Sequence, residues 1–101
     1  MTNYNYMTKI SKETSEAFLN NKYYSNTNTK VMGGAIYLYK NKIAIINHDT
    51  KIVEISLARW NTKTTRDRLN AIQNVSIRVK KGVPYLNGEI INSHDWYKIV
   101  I

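Results

Sequence analysis

Cysteine is absent from the 101 residues, which excludes disulfides and thiolate metal sites. There is one proline, Pro84, and only four glycines, so no Pro- or Gly-rich linker divides the chain. Apolar stretches are short, and none approaches the roughly 18 residues a membrane-spanning helix requires. The opening Met1-Thr2-Asn3-Tyr4-Asn5-Tyr6 has no basic region followed by an apolar block, so no secretory leader is expected. No G-x-S-x-G, phosphate-binding loop or Cys–His pair is present, and with them go the common nucleophilic and nucleotide-hydrolysing sites. Acidic residues are few, 7 against 15 lysines and arginines.

What is present is ordinary globular composition, 43% hydrophobic and 22% charged, with a net charge of +8. That excess favours anionic partners and fast association at low salt, and says nothing about fold. It is unevenly placed. Between Arg59 and Lys81 stand Arg59, Lys63, Arg66, Arg68, Arg78, Lys80 and Lys81 against Asp67 alone, and all four arginines of the chain are among them. Lysine, asparagine, isoleucine and tyrosine are scattered throughout, as an AT-rich genome would impose, but such a bias does not gather arginines into one segment.

The patterning predicts one domain over residues 1–101, with 1–9 a loose lead or short edge strand. Ser11 offers an N-cap, Glu13 and Glu16 suit the positive end of a helix dipole, and a short helix is expected from Lys12 to Asn21. Ser25 to Asn28 reads as a connection. From Thr29 the period becomes alternating: strands over Thr29–Met32, Ala35–Tyr39, Ile43–Asn47 and Lys51–Ser56, with turns at Gly33-Gly34, Lys40-Asn41-Lys42 and His48-Asp49-Thr50. Tyr37 and Tyr39 then share one strand face. Thr64-Thr65-Arg66-Asp67 fits a capping box, and the helix it opens runs to Asn74 with Leu69 and Ile72 facing the sheet. Val75, Ile77 and Val79 alternate with Ser76, Arg78 and Lys80 in a half-buried strand with a basic outer face. Gly82 and Pro84 mark a turn, Tyr85 to Gly88 a short return strand, and Trp96 to Ile101 a last strand. The expected class is α+β: one mainly antiparallel sheet of short strands, with two helices on one face.

The stretch Trp60 to Gly88 resembles a family of small proteins from tailed bacteriophages. The likeness rests on Trp60, Thr64-Thr65, Arg68-Leu69-Asn70-Ala71, Val75-Ser76-Ile77, Lys81-Gly82 and Tyr85-Leu86-Asn87-Gly88. Ala17-Phe18-Leu19-Asn20 is similar to the family's first helix, and Asn28-Thr29 with Tyr37-Leu38 to its first hairpin. Arg59 departs from the pattern, where a small residue usually precedes the tryptophan. The resemblance implies a phage origin and a small accessory gene, and with no leader expected the cytoplasm of the infected bacterium is the expected place of action. The resemblance implies no activity. Trp60, at the strand-to-helix junction, is read as a core residue.

The expected function is therefore non-enzymatic binding of an anionic partner, nucleic acid first, through Arg59, Lys63, Arg66, Arg68, Asn70, Arg78, Lys80 and Lys81. Lys63 and Arg66 flank a helix N-terminus that favours anions, and the strand cations extend a phosphate track. Tyr37 and Tyr39 are a suitable pair for stacking bases, although alternating tyrosines more often only cover a sheet. His48-Asp49 and His94-Asp95 are too few ligands for a metal site and suit turns, so no metal or cofactor is expected. Four other possibilities stand beside this. The chain could be a host-takeover or counter-defence inhibitor whose basic face meets an acidic host protein, or it could capture a nucleotide signal. It could be a metal-free basic ribonuclease. Finally, the basic segment could be only a solvated surface. Oligomeric state is left open, with a homodimer through exposed strands one option.

Overall fold

Thr8 starts the first helix. In the computed structural model, which describes residues 8–101, its Oγ1 accepts from the backbone N–H of Ser11 at 3.1 Å and caps α1 (Lys9–Leu19). The helix thus begins three residues before the expected start, and Thr8 and Lys9 belong to it rather than to a lead. The rest of that lead, residues 1–7, lies outside the described residues. The face α1 turns inward is Ser11, Thr14, Ser15 and Phe18, the i, i+3, i+4, i+7 stripe of an amphipathic helix. Three of those four are hydroxyl residues, and each is bonded: Ser11 Oγ accepts from Arg68, Thr14 Oγ1 donates to Ile10 O at 2.6 Å, and Ser15 Oγ donates to Ala71 O at 2.8 Å.

After α1 come β1 (Tyr24–Asn26), β2 (Thr29–Met32), β3 (Ala35–Leu38), β4 (Asn41–Asn47) and β5 (Ile52–Ile55). Then follow α2 (Lys63–Asn70), β6 (Ile77–Lys80), β7 (Val83–Leu86), β8 (Glu89–Ile90) and β9 (Tyr97–Val100). The class is α+β, as expected, but the strands form two sheets rather than one. A six-stranded antiparallel sheet runs β1-β2-β3-β4-β5-β9, the last strand returning beside the fifth. A three-stranded one runs β6-β7-β8. β1 occupies part of the expected connection. Its Tyr24 hydroxyl donates to Glu13 Oε1 at 2.8 Å, and burial and that acid raise the Tyr24 pKa.

Gly33-Gly34, with φ of 59° and 78°, forms the expected two-residue turn between β2 and β3. The next turn is displaced. Leu38 pairs with Asn41, so the chain reverses at Tyr39-Lys40, both left-handed with φ of 50° and 73° and neither a glycine. Tyr39 therefore leaves the strand and stands at a hairpin tip. A register shift at Ile36/Tyr37 lets Ile43 and Ala44, neighbours in sequence, both turn inward.

One buried cluster joins Val31, Ile36, Ala44, Val53, Ile55 and Ile99 of the large sheet to Phe18, Leu69, Ile77 and Leu86. The helices and the small sheet therefore cover the same face. Lys30, Met32, Lys98 and Val100, which alternate with the buried positions, are exposed on the other.

Candidate nucleic-acid interface

Arg68 was expected on the basic face and is instead buried, 5% exposed, where α1, α2 and β2 meet. Its Nε donates to Thr29 Oγ1 and its Nη1 to Ser11 Oγ, both at 2.9 Å. Longer bonds of 3.4 Å reach Thr8 Oγ1 and Asn28 Oδ1. No carboxylate pairs with it. Burial lowers its pKa from the ordinary arginine value, with Asp67 acting in the opposite sense. A guanidinium buried this way, with four of its five N–H groups already bonded, cannot reach a phosphate at the surface, so Arg68 leaves the candidate set. The reason is geometric: Arg68 is next to Leu69 on the inward side of a helix that starts at Lys63 rather than at the expected box.

Asn70 leaves it too. Its Nδ2 donates to Ile77 O at 3.1 Å and its Oδ1 accepts from Ile77 N at 2.6 Å, a two-bond clamp fixing β6 to the end of α2. The expected helix end at Asn74 is shortened accordingly. Asn70→Ala should cost about 2 kcal/mol, because it orphans both backbone groups of a buried residue. Denaturant unfolding measures this, and an unchanged midpoint would show the clamp to be idle.

The capping role falls to Thr62, whose Oγ1 accepts from Thr65 N at 3.2 Å, two residues earlier than the sequence suggested. Asp67 then cannot reach back to the cap and pairs with Lys63 at 3.2 Å instead. Arg66 turns back onto Asn61, its Nη1 donating to Asn61 O at 3.1 Å and Oδ1 at 2.6 Å. It is half-buried, a brace for the start of α2 with part of its guanidinium still open.

The remaining cations, Arg59, Lys63, Arg78, Lys80 and Lys81, are exposed. They fall into two groups. Arg59 and Lys63 lie at the N-terminal end of α2. Arg78, Lys80 and Lys81 lie on the hairpin that Asn70 ties to its other end, with Arg78 opposite Tyr85.

Beside the first group is a pocket of about 390 Å³ lined by Leu38, Tyr39, Asn41, Ile43, Leu57, Trp60, Thr62 and Thr65. Trp60, expected in the core, is 58% exposed at its edge, and Tyr39 is 68% exposed. Trp60 is flanked directly by Arg59 and Asn61 and followed by Thr62-Lys63, and that polar setting was the available signal that the ring faces out. Tyr39 also lines a second, open groove with Lys30, Met32, Tyr37 and Lys40. Tyr37 is half-buried, and Lys42 Nζ stands 5.7 Å from its ring centroid, so one ring face is already occupied. The other exposed ring lining the pocket with Tyr39 is Trp60.

Both His-Asp doublets are asparagine-capped turns. Asn47 Oδ1 accepts from Asp49 N and Thr50 N at 2.9 and 3.1 Å, and Asn92 Oδ1 from His94 N and Asp95 N at 3.0 and 2.7 Å. Among the described residues no group of three or more His, Asp or Glu is placed to hold a metal ion. No helix among them is long and apolar enough to cross a membrane.

The model of one protein family, described as Kyanoviridae Gp96 protein, matches residues 7–100. No curated protein and no solved structure matches the chain.

Proposed function

We propose that this chain, which belongs to the Kyanoviridae Gp96 family of bacteriophage proteins, acts by binding nucleic acid through its exposed lysines and arginines. One observation carries the reading. Among the described residues, Lys63–Asp67 is the only ion pair made by a lysine or arginine, so the +8 charge stands largely uncompensated at the surface. Such a field draws a polyanion and releases its counterions. The described side chains provide cationic contacts and aromatic platforms, and binding is what that chemistry does.

The test is affinity for a short single strand and its duplex as a function of salt. Changing Arg78→Gln, Lys80→Gln and Lys81→Asn together should reduce the slope of log affinity against log salt by about 2 to 3. All three side chains are exposed, so the fold should persist. Unchanged affinity and slope would overturn the reading for this hairpin.

A second reading is a host-takeover or counter-defence inhibitor that docks on a bacterial protein. It is favoured by the sheet face turned away from the helices, where Met32 and Val100 are exposed beside Lys30 and Lys98. A pull-down from infected cells, split before nuclease treatment, separates the two. Partners that vanish on digestion support nucleic acid, and one host protein persisting at near-equal stoichiometry supports the inhibitor.

A further inference from the structure

We infer that the pocket between Tyr39 and Trp60 takes one unpaired nucleobase, so that this protein prefers single strands to duplex. The inference rests on the nucleic-acid reading and gives it a substrate class.

The pocket has the parts a base requires. Its floor is apolar, with Leu38, Ile43 and Leu57 all buried, and two aromatic rings are held out at its edge. Asn41, exposed on its wall, carries both an amide donor and a carbonyl acceptor, the pair of groups that reads a base edge. Its volume of about 390 Å³ falls within the range of small-ligand clefts.

The Tyr39 ring and the Trp60 backbone are preset. Tyr39 sits in a left-handed turn, and its hydroxyl accepts from Asn28 Nδ2 at 3.2 Å. Asn28 Oδ1 in turn accepts from Thr29 Oγ1 at 2.7 Å and from Arg68 Nη2. Trp60 is held through its backbone, its N–H donating to Leu57 O at 2.8 Å and its carbonyl accepting from Thr62 N at 2.9 Å. The Tyr39 ring and the backbone that carries Trp60 therefore have little freedom left to lose when a base enters.

Charge selects the occupant. Arg59 and Lys63, both exposed, neighbour the pocket residues Trp60 and Thr62 in sequence, and Lys40 lines the adjoining groove that shares Tyr39, so cations stand near the apolar slot although Lys63 also pairs with Asp67. An uncharged aromatic ligand would make no use of them, whereas a strand brings phosphates on either side of the base. A base inside a duplex is already stacked on both faces and would first have to leave the helix.

The test uses the full chain carrying Trp96→Phe, which leaves Trp60 as its only indole. A short oligothymidylate should quench Trp60 fluorescence, and a duplex of the same length should not. Tyr39→Ala and Trp60→Ala should each weaken the single strand by about tenfold while leaving duplex affinity and salt slope unchanged. Tyr39→Phe, which keeps the ring, should retain most of the binding. Equal affinity for both forms, untouched by either alanine, would overturn the pocket and leave the charge-based reading standing. Absence of binding to both forms would overturn that reading itself.

Discussion

Arg68→Ala should destabilise the protein by about 3 kcal/mol and lower its melting temperature by about 15 °C. Three effects compete. Removing the guanidinium relieves the cost of burying a charge that has no carboxylate partner, which favours the variant. Against this, Thr29 and Ser11 lose charge-assisted bonds of 2.9 Å, each contributing about 1.5 kcal/mol or more. The truncation also leaves a hole where α1, α2 and β2 meet, and a fully buried long side chain cannot be removed without that penalty. The last two win because the hydroxyls around Arg68 come from separate elements, and without the guanidinium they lose the donor they share. Arg68→Met separates the contributions. It refills the volume without the donors and should cost about 1 kcal/mol. A methionine variant at least as stable as the parent would mean that the hydrogen bonds do not repay desolvation. An alanine variant within about 1 kcal/mol of it would mean that the network does not hold the helices. In either variant the salt slope of nucleic-acid binding should be unchanged, since Arg68 is closed off from solvent.

That burial also explains what could be read from the chain and what could not. Alternation exposed β2, β3, β4, β5 and β9 because their inward residues are Val, Ile, Leu and Ala beside outward Lys, Asn and Glu. The α+β class followed from those strands and two capped helices. α1 was misplaced because its inward stripe is Ser11, Thr14, Ser15 and Phe18, and hydroxyl residues at helical spacing do not read as a buried face until their partners are known. One of those partners, Arg68, is 57 residues away. The site failed for a related reason. Counting cations found the basic segment but not which side chains are already committed within the fold, so buried Arg68 and the clamping Asn70 were grouped with Lys63 and Arg78. Tyr39 was found, though as a strand residue. Trp60 was assigned to the core on its place at the strand-to-helix junction and its match to the family pattern, whereas the structure leaves it 58% exposed. The run Arg68-Leu69-Asn70-Ala71, one of the motifs on which the phage resemblance rested, proves structural at every position. Arg68 ties three elements, Leu69 fills the core, Asn70 clamps Ile77, and the carbonyl of Ala71 receives Ser15.

Phe18→Ala should have the largest effect of any single truncation in α1, about 3 to 5 kcal/mol. Phe18 is the chain's only phenylalanine and is 0% exposed. It is also the one large fully buried apolar group of α1, whose other buried residues are Ser11, Thr14, Ser15 and the small Ala17. Those hydroxyls are bonded, but a bonded hydroxyl contributes little net stability beyond avoiding its own desolvation cost. Most of what draws α1 onto the sheet is therefore the area Phe18 buries. Since domains of this size have a total stability of roughly 5 to 15 kcal/mol, the alanine variant should populate a state with α1 detached, seen as fast amide exchange over Lys9–Leu19 while β3 to β5 stay protected. Phe18→Leu should cost only about 1 kcal/mol, because most of the volume is kept. A loss below about 1.5 kcal/mol for alanine would transfer the anchoring role to Ser11, Ser15 and Arg68. The double variant Phe18→Ala, Arg68→Ala decides between them. If both residues fasten the same helix, their combined loss must fall short of the sum of the single losses, because a helix already detached cannot be released again.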